Sequence, residues 1–336
     1  MNSISVTQPT TLSQNHENRS RSKRSRQLYW PPAAIANRCA SHLGGIHLVK
    51  AGAEDPEVAT IAILRGSASQ IIGGVAVVSE GSAAISLSQG GFKKRYPHTD
   101  PNEDAAAFAL GEAGILLAVA DGHNGCDAAE SAIDELMLRA GALLTRNRNT
   151  VDGWWQEIAL ETIGAIQTAL ASRVAQEMRG HSRTTLALAL VLPGEGLLAF
   201  ASLGDSHIFR VRPKEAVDLG IHPEGLRCFL GNPADDLDTL AKSSVVGVES
   251  LANTRAVILA TDGISEPGIG VDVPEHTVSE CAAGADRCAP ELRPLELARN
   301  VSEAALAAHQ RHRAGDNIAA AVTCLPPRQD SATEAG

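Results

Sequence analysis

The sequence predicts an α+β fold: a four-layer α-β-β-α sandwich, two mostly antiparallel sheets flanked by helices. Three observations predict it. The run Thr185 to Leu192 is apolar at nearly every position, and a strand wetted on one face would alternate instead, so both of its faces are expected to be covered. The turn sequence Pro193, Gly194, Glu195, Gly196 joins that run to a second apolar one, as a hairpin does. Long amphipathic helices arrive in pairs between strands, which suits helices covering sheets better than strict βαβ winding.

Taken in order, residues 1–28 are polar, rich in Ser and Asn, and carry a basic cluster at Arg19, Arg21, Lys23, Arg24 and Arg26. Little there can be buried, so a disordered tail is expected. Tyr29, Trp30, Pro31 and Pro32 mark a break. Residues 29–80 read as an N-terminal extension of unassigned role, with strand candidates at 61–64 and 75–78. The main domain is expected over 81–326, opening with the short strand Ala83 to Leu87. Residues 327–336 read as a loose tail.

Within the main domain the strand candidates are 115–120, 184–192, 197–203, 206–211, 256–261 and 318–324. One helix is expected from about Asp127 to Leu144, with Ala129, Ala132, Ile133, Leu136, Met137 and Ala140 on one stripe. A second runs from about Trp154 to Met178, its stripe carrying Trp155, Ile158, Ala159, Thr162, Ile163, Ile166 and Leu170. A third, near 294–312, opens on Pro294, which suits a first turn.

The apolar content of 44% supports a substantial core, while the 3% aromatic content leaves Ala, Leu, Val and Ile to build it. The net charge of -10 argues against general nucleic-acid binding, which needs a basic surface. No apolar run approaches the ~20 residues of a membrane span, and the N-terminus lacks the pattern of a secretory signal. A cytoplasmic protein is the expectation. The six cysteines form no Cys-x-x-Cys pair and read as reduced, buried small residues. Cys126 stands at a helix start, where the dipole can lower a thiol pKa, but it too reads first as a small residue at a helix entry.

The chemistry-bearing residues cluster at strand ends. Asp121, Gly122, His123, Asn124 and Gly125 follow the run 115–120; Asn102, Glu103 and Asp104, Thr261 to Gly263, and Gly315 to Asn317 repeat the pattern. Carboxylates brought from separate strand ends make an oxygen-rich site for hard divalent cations such as Mg²⁺ or Mn²⁺. That chemistry points to metal-assisted hydrolysis, in which bound cations lower the pKa of a water and a nearby imidazole offers a proton. Taken singly, Asp-Gly and Asp-Asn pairs are ordinary turns; the joint pattern decides.

That joint pattern is Asn-Glu-Asp-Ala (102–105), Val-Ala-Asp-Gly-His-Asn-Gly (119–125), Thr-Thr-Leu (184–186), Leu-Gly-Asp-Ser (203–206), Ala-Thr-Asp-Gly (260–263) and Gly-Asp-Asn-Ile (315–318). In this order it resembles the metal-dependent serine/threonine protein phosphatases of the type 2C, or PPM, family, over roughly residues 83–325. The resemblance implies two Mg²⁺ or Mn²⁺ ions, phosphorylated protein substrates and attack by metal-bound hydroxide. It implies that Asp121 bridges the ions, that Gly122 offers its carbonyl, and that Glu103, Asp262 and Asp316 complete the metal set. Asp104 would orient water and His123 would be the general acid. Gly204, Asp205 and Ser206 would support the site's structure, and Asn317 would fix the loop of Asp316.

The chain also departs from the family. Thr99 stands four residues before Glu103, where the family has a phosphate-binding arginine; Arg95, Lys94 and Arg183 are the candidates to replace it. No acid precedes Thr184, so a third metal site is expected to be weak or absent, with His181 an ordinary loop residue. The family's flap is expected within 213–255. Two other readings stay open: a phosphatase dedicated to one regulatory partner, and a weakly active or inactive regulatory or binding protein of this fold.

Overall fold

In the computed structural model, two seven-stranded sheets pack face to face and helices cover both outer surfaces. The structure describes residues 3–7, 46–50, 58–94, 98–145, 153–176, 182–225 and 228–326, with the backbone alone for 3–7, 46–50, 58–59 and 174–176.

The strands are β1 (Ser3–Thr7), β2 (Ile46–Lys50), β3 (Val58–Arg65), β4 (Val75–Glu80), β5 (Ala83–Ser88), β6 (Ala105–Gly111), β7 (Ile115–Ala120), β8 (Gly122–His123), β9 (Arg183–Thr184), β10 (Leu186–Leu192), β11 (Leu197–Leu203), β12 (His207–Val211), β13 (Ala216–Asp218), β14 (Ser244–Ser250), β15 (Ala256–Ala260) and β16 (Ile318–Cys324). The helices are α1 (Asp127–Met137), α2 (Ala140–Thr145), α3 (Trp154–Gln176), α4 (Leu237–Ser243), α5 (Pro274–Ala285) and α6 (Arg293–His312). One sheet runs β1-β4-β5-β16-β15-β12-β13 and the other β14-β11-β10-β7-β6-β3-β2; every pairing within them is antiparallel.

Side-chain alternation builds three cores. Along β10, Leu186, Leu188, Leu190 and Leu192 meet α1, α2 and α3, while Ala187, Ala189 and Val191 face the opposite sheet. In β16, Ile318, Ala320 and Val322 meet α5 and α6, and Ala319 and Ala321 point between the sheets. The apolar run at 185–192 therefore has no polar alternation because neither face sees water.

The observed architecture is the expected four-layer α+β sandwich, with corrections at its borders. The boundary at residue 81 falls inside the sheets: β3 pairs with β6 and β4 with β5. Residues 3–7, expected within a disordered tail, form an edge strand on β4; their sequence Ile4, Ser5, Val6, Thr7 has the β-branched content a strand favours. The remainder of 1–28 and all of 327–336 lie outside the described residues. The helix expected over 127–144 is two helices, parted at Leu138, which faces solvent.

The antiparallel registers gather one end of the sandwich. Ala120 lies opposite Ala105, so Asp121 leaves β7 where Asp104 enters β6. Ala260 lies opposite Ala320, so Asp262 leaves β15 beside the start of β16, just after Asp316.

Candidate metal centre

At this end of the sandwich, Asp121 is held through its backbone. Thr185 Oγ1 accepts from the Asp121 N–H at 3.1 Å, and the Asp121 carbonyl accepts from the Thr184 hydroxyl and the Thr185 N–H. Thr185 Oγ1 is 2.9 Å from Ser206 Oγ. The Thr-Thr and Gly-Asp-Ser segments are thus the clamp on Asp121. A Cβ at Gly122 would overlap the Glu103 carbonyl oxygen, and one at Gly263 would overlap that of Asn317. Glycine at both positions lets loops from different strands touch.

Buried His309, on α6, pins the Asp262 turn. Its Nδ1 accepts from Gly91 N–H at 3.1 Å, and its Nε2 lies 2.7 Å from the Gly263 carbonyl. Asn317 ties three loops: its Oδ1 accepts from the Glu103 N–H at 2.8 Å and from Lys94 Nζ at 2.5 Å, and its Nδ2 donates to the carbonyls of Gln89 and Pro101.

Two groups of carboxylates converge. Asp121, Asp205 and Asp262 have oxygens within 4.8 Å of one another, and so do Asp262, Glu266 and Asp316. Asp262 belongs to both. Asp104 is buried beside them, its Oδ2 accepting from the Thr261 hydroxyl at 2.8 Å. Burial pushes the carboxyls of Asp104, Asp121 and Asp262 upward, and repulsion from the neighbouring acids adds to it; that of Asp262 reaches about 7. The Lys94 ammonium offsets part of the effect at Asp104, but the acids outnumber it, and such crowding calls for further positive charge. An all-oxygen donor set in that condition fits a hard divalent cation.

Glu103 stands apart from both groups. Its Oε1 accepts from the backbone N–H of Thr99, Asp100 and Gly125, and its Oε2 lies 2.9 Å from His98 Nδ1. These bonds fasten the segment 98–100 to the loop after Asp121. Asp205, expected as a structural support, and Glu266, to which the motifs assign no role, both stand with these acids. The spacing of Glu266 four residues after Asp262 was the available signal.

His123 stands at the rim, its Nδ1 3.7 Å from Asp121 Oδ1. Burial holds its imidazole below the ordinary value; Asp205 opposes this and Arg183 reinforces it. Arg183 faces His123 across the β8–β9 pair, its guanidinium 4.5 Å from the centre of the Phe229 ring. Lys94 points into the acids, with Nζ 3.0 Å from Asp316 Oδ1. Arg95 and His181 lie outside the described residues. Cys126 accepts the small-residue reading: it is buried, its N–H donates to Asp100 Oδ2 at 3.0 Å, and burial pushes its thiol up, so it is no reactive thiolate. Among the described residues the cysteines are all free.

A family model described as Protein phosphatase 2C matches residues 93–301, more than half of the chain. The chain belongs to this family. Among solved structures it is similar to a bacterial serine phosphatase (17% identity, TM-score 0.55, 74% of this chain and 98% of that one). It is also similar to a serine/threonine phosphatase of Staphylococcus aureus (17%, 0.53, 74% and 96%) and to the Mycobacterium tuberculosis serine/threonine phosphatase (22%, 0.50, 73% and 98%). At these identities the structures speak for a shared fold. Among curated proteins none matches. Within the described residues no helix of this type 2C chain is long and apolar enough to cross a membrane.

Proposed function

We propose that this chain is a divalent-metal-dependent protein phosphatase that hydrolyses phosphoserine and phosphothreonine in proteins, using two Mg²⁺ or Mn²⁺ ions. The observation that carries the reading is the convergence of Asp121, Asp205, Asp262, Glu266 and Asp316 at one end of the sandwich, in a chain of the type 2C family. One ion would be held by Asp121, Asp205 and Asp262, and one by Asp262, Glu266 and Asp316. When bound, such ions lower the pKa of water and neutralise charge on the phosphoryl oxygens.

The chain's own groups complete the chemistry. Asp104, held by Thr261, sits close enough to Asp262 and Asp316 to feel their charge, and would orient water by hydrogen bonding. As water oxygen bonds to phosphorus, the bond to the seryl or threonyl oxygen breaks. His123 would give its proton to that leaving oxygen. Arg183 would meet the substrate phosphate, since a guanidinium matches phosphate oxygens with paired donors. Glu103 would serve by bracing the loop of Gly125, and Gly122 by allowing the close approach of that brace.

The test is turnover of a phosphothreonine peptide by the purified chain, with and without Mn²⁺. Release of phosphate only with the metal, abolished in Asp121→Ala and Asp262→Ala, is the expected result. Turnover that persists without metal or in both variants overturns the reading.

A further inference from the structure

Phe229 lies within 213–255, where the flap is expected. Its ring touches two residues of the candidate site at once. The Arg183 guanidinium lies 4.5 Å from the ring centroid, and the His123 ring centroid lies 4.7 Å away at an interplanar angle of 58°. The half-buried ring is placed by its backbone neighbours. Leu230 exchanges two backbone hydrogen bonds with Thr184, at 2.8 and 2.9 Å. The Gly231 N–H donates to Gln167 Oε1 at 2.8 Å, and the Cys228 thiol donates to Asp235 Oδ2 at 3.1 Å. The segment thereby extends the β8–β9 pair by one more bridge, on the strand that carries Arg183.

A positive side chain at this rim has strong competitors for its charge. Asp121 and Asp205 stand beside His123, and a long guanidinium free to turn would fold onto carboxylates meant for cations. The negative face of an aromatic ring offers an alternative that leaves the guanidinium's in-plane donors open, since the contact uses its flat face. The same ring limits the rotation of the imidazole.

We propose that Phe229 is a positioning residue: its ring holds Arg183 off the metal-binding carboxylates and sets Arg183 and His123 side by side for a phosphoryl group. The proposal rests on the phosphatase reading above and adds a residue to it.

The experiment uses the full chain loaded with Mg²⁺, and inorganic phosphate as the probe. Calorimetry measures phosphate binding in wild type, Phe229→Leu, Arg183→Gln and the double variant. NMR of selectively labelled histidine follows the carbon-bound ring protons of His123, assigned by their loss in His123→Asn. Phe229→Leu is expected to weaken phosphate binding about ten-fold and to shift the His123 resonances by removing the ring current. Phe229→Tyr, which keeps the ring, restores both. The double variant binds no more weakly than Arg183→Gln alone, because Phe229 acts through Arg183. Additive losses, unmoved His123 resonances or equal defects in Phe229→Leu and Phe229→Tyr would each overturn the proposal. Should Phe229→Leu not fold, Phe229→Met, which keeps apolar volume, carries the same test. Absence of peptide turnover by wild type defeats the phosphatase reading, while the phosphate and NMR arms still decide the role of Phe229.

Discussion

Lys94 Nζ lies 3.0 Å from Asp316 Oδ1, so a cation of the chain itself already stands against one of the carboxylates of the candidate metal centre. Both side chains are about nine-tenths buried, and the same ammonium is within hydrogen-bond reach of Asn317 Oδ1 and His98 Nδ1. Its direction argues against a purely substrate-facing role. Lys94→Met leaves Asp316 without that partner. Breaking a mostly buried pair costs about 2–3 kcal/mol once partial exposure is discounted, so the metal-free variant should melt roughly 5–10 °C lower. The more negative centre should bind Mn²⁺ more tightly than wild type, read by calorimetry. Weaker Mn²⁺ binding would instead make Lys94 part of the scaffold that shapes the centre.

His123 supplies a pH signature. Burial holds its imidazole below the ordinary 6.5, so the protonated form that can donate is present below that lowered value and lost as pH rises through it. Turnover of a phosphothreonine peptide, whose leaving alkoxide needs a proton, should fall over that window. His123→Asn should lower kcat on the peptide about a hundred-fold and leave Mn²⁺ affinity unchanged. With p-nitrophenyl phosphate, whose leaving group is stable without a proton, the loss should be several times smaller. Equal losses on both substrates would remove His123 as the acid.

The parts of the fold that could be read were those whose faces are uniform. The run 186–192 and the stripes of α1 and α3 are buried as their periodicity implies. The sequence does not announce β6, because in Ala105, Ala106, Ala107, Phe108, Ala109 only Phe108 favours a strand. Its place between β3 and β7 decides it, with Ala105, Ala107 and Ala109 against the helices and Ala106 and Phe108 between the sheets. α5 was missed for the related reason that Pro274–Ala285 shows only a weak stripe, its burial resting on Val278, Cys281, Ala282 and Ala285. For the site, motif order located the strand ends, which are fixed by register. It could not tell where a carboxylate points: Glu103 turns into backbone N–H groups that only the folded loop 98–100 brings near it, and Asp205 turns toward Asp121 and Asp262.

Crowded acids make the metal-free protein sensitive to pH. The carboxyl of Asp262 is raised from 3.8 to about 7, first by burial and then by Asp316 and Asp205. A carboxyl whose pKa is higher in the folded state binds a proton more readily there than in the unfolded chain. Its contribution is therefore fully favourable below about 3.8 and is lost as pH rises toward 7. In chelator, the melting temperature should fall between pH 5 and pH 8, beyond what Asp262→Asn shows over the same range. Adding Mn²⁺ at pH 8 should restore it by more than at pH 5, because the ion needs ionised ligands. A melting temperature in chelator that rises steadily to pH 8 in wild type, as in the variant, would show that these acids find another counter-charge.

Two acids that look alike in the sequence should behave differently when neutralised. Asp205 has an oxygen within 4.8 Å of those of Asp121 and Asp262. Glu103 has its carboxylate among three backbone N–H donors and His98. Asp205→Asn removes a carboxylate from the candidate centre, so under the proposed function Mn²⁺ affinity should drop by about ten-fold or more, with little change in the melting temperature of the metal-free chain. Glu103→Gln replaces one of the accepting oxygens by an amide nitrogen and exchanges charge-assisted bonds for neutral ones. About 1.5–3 kcal/mol of bracing is at stake, so the metal-free protein should melt lower while Mn²⁺ affinity changes less than in Asp205→Asn. Calorimetry and thermal melting on the same two variants separate the cases. If Glu103→Gln loses the metal and Asp205→Asn keeps it, the ion sits nearer β6 than the carboxylate groups indicate, and the roles of the two acids exchange.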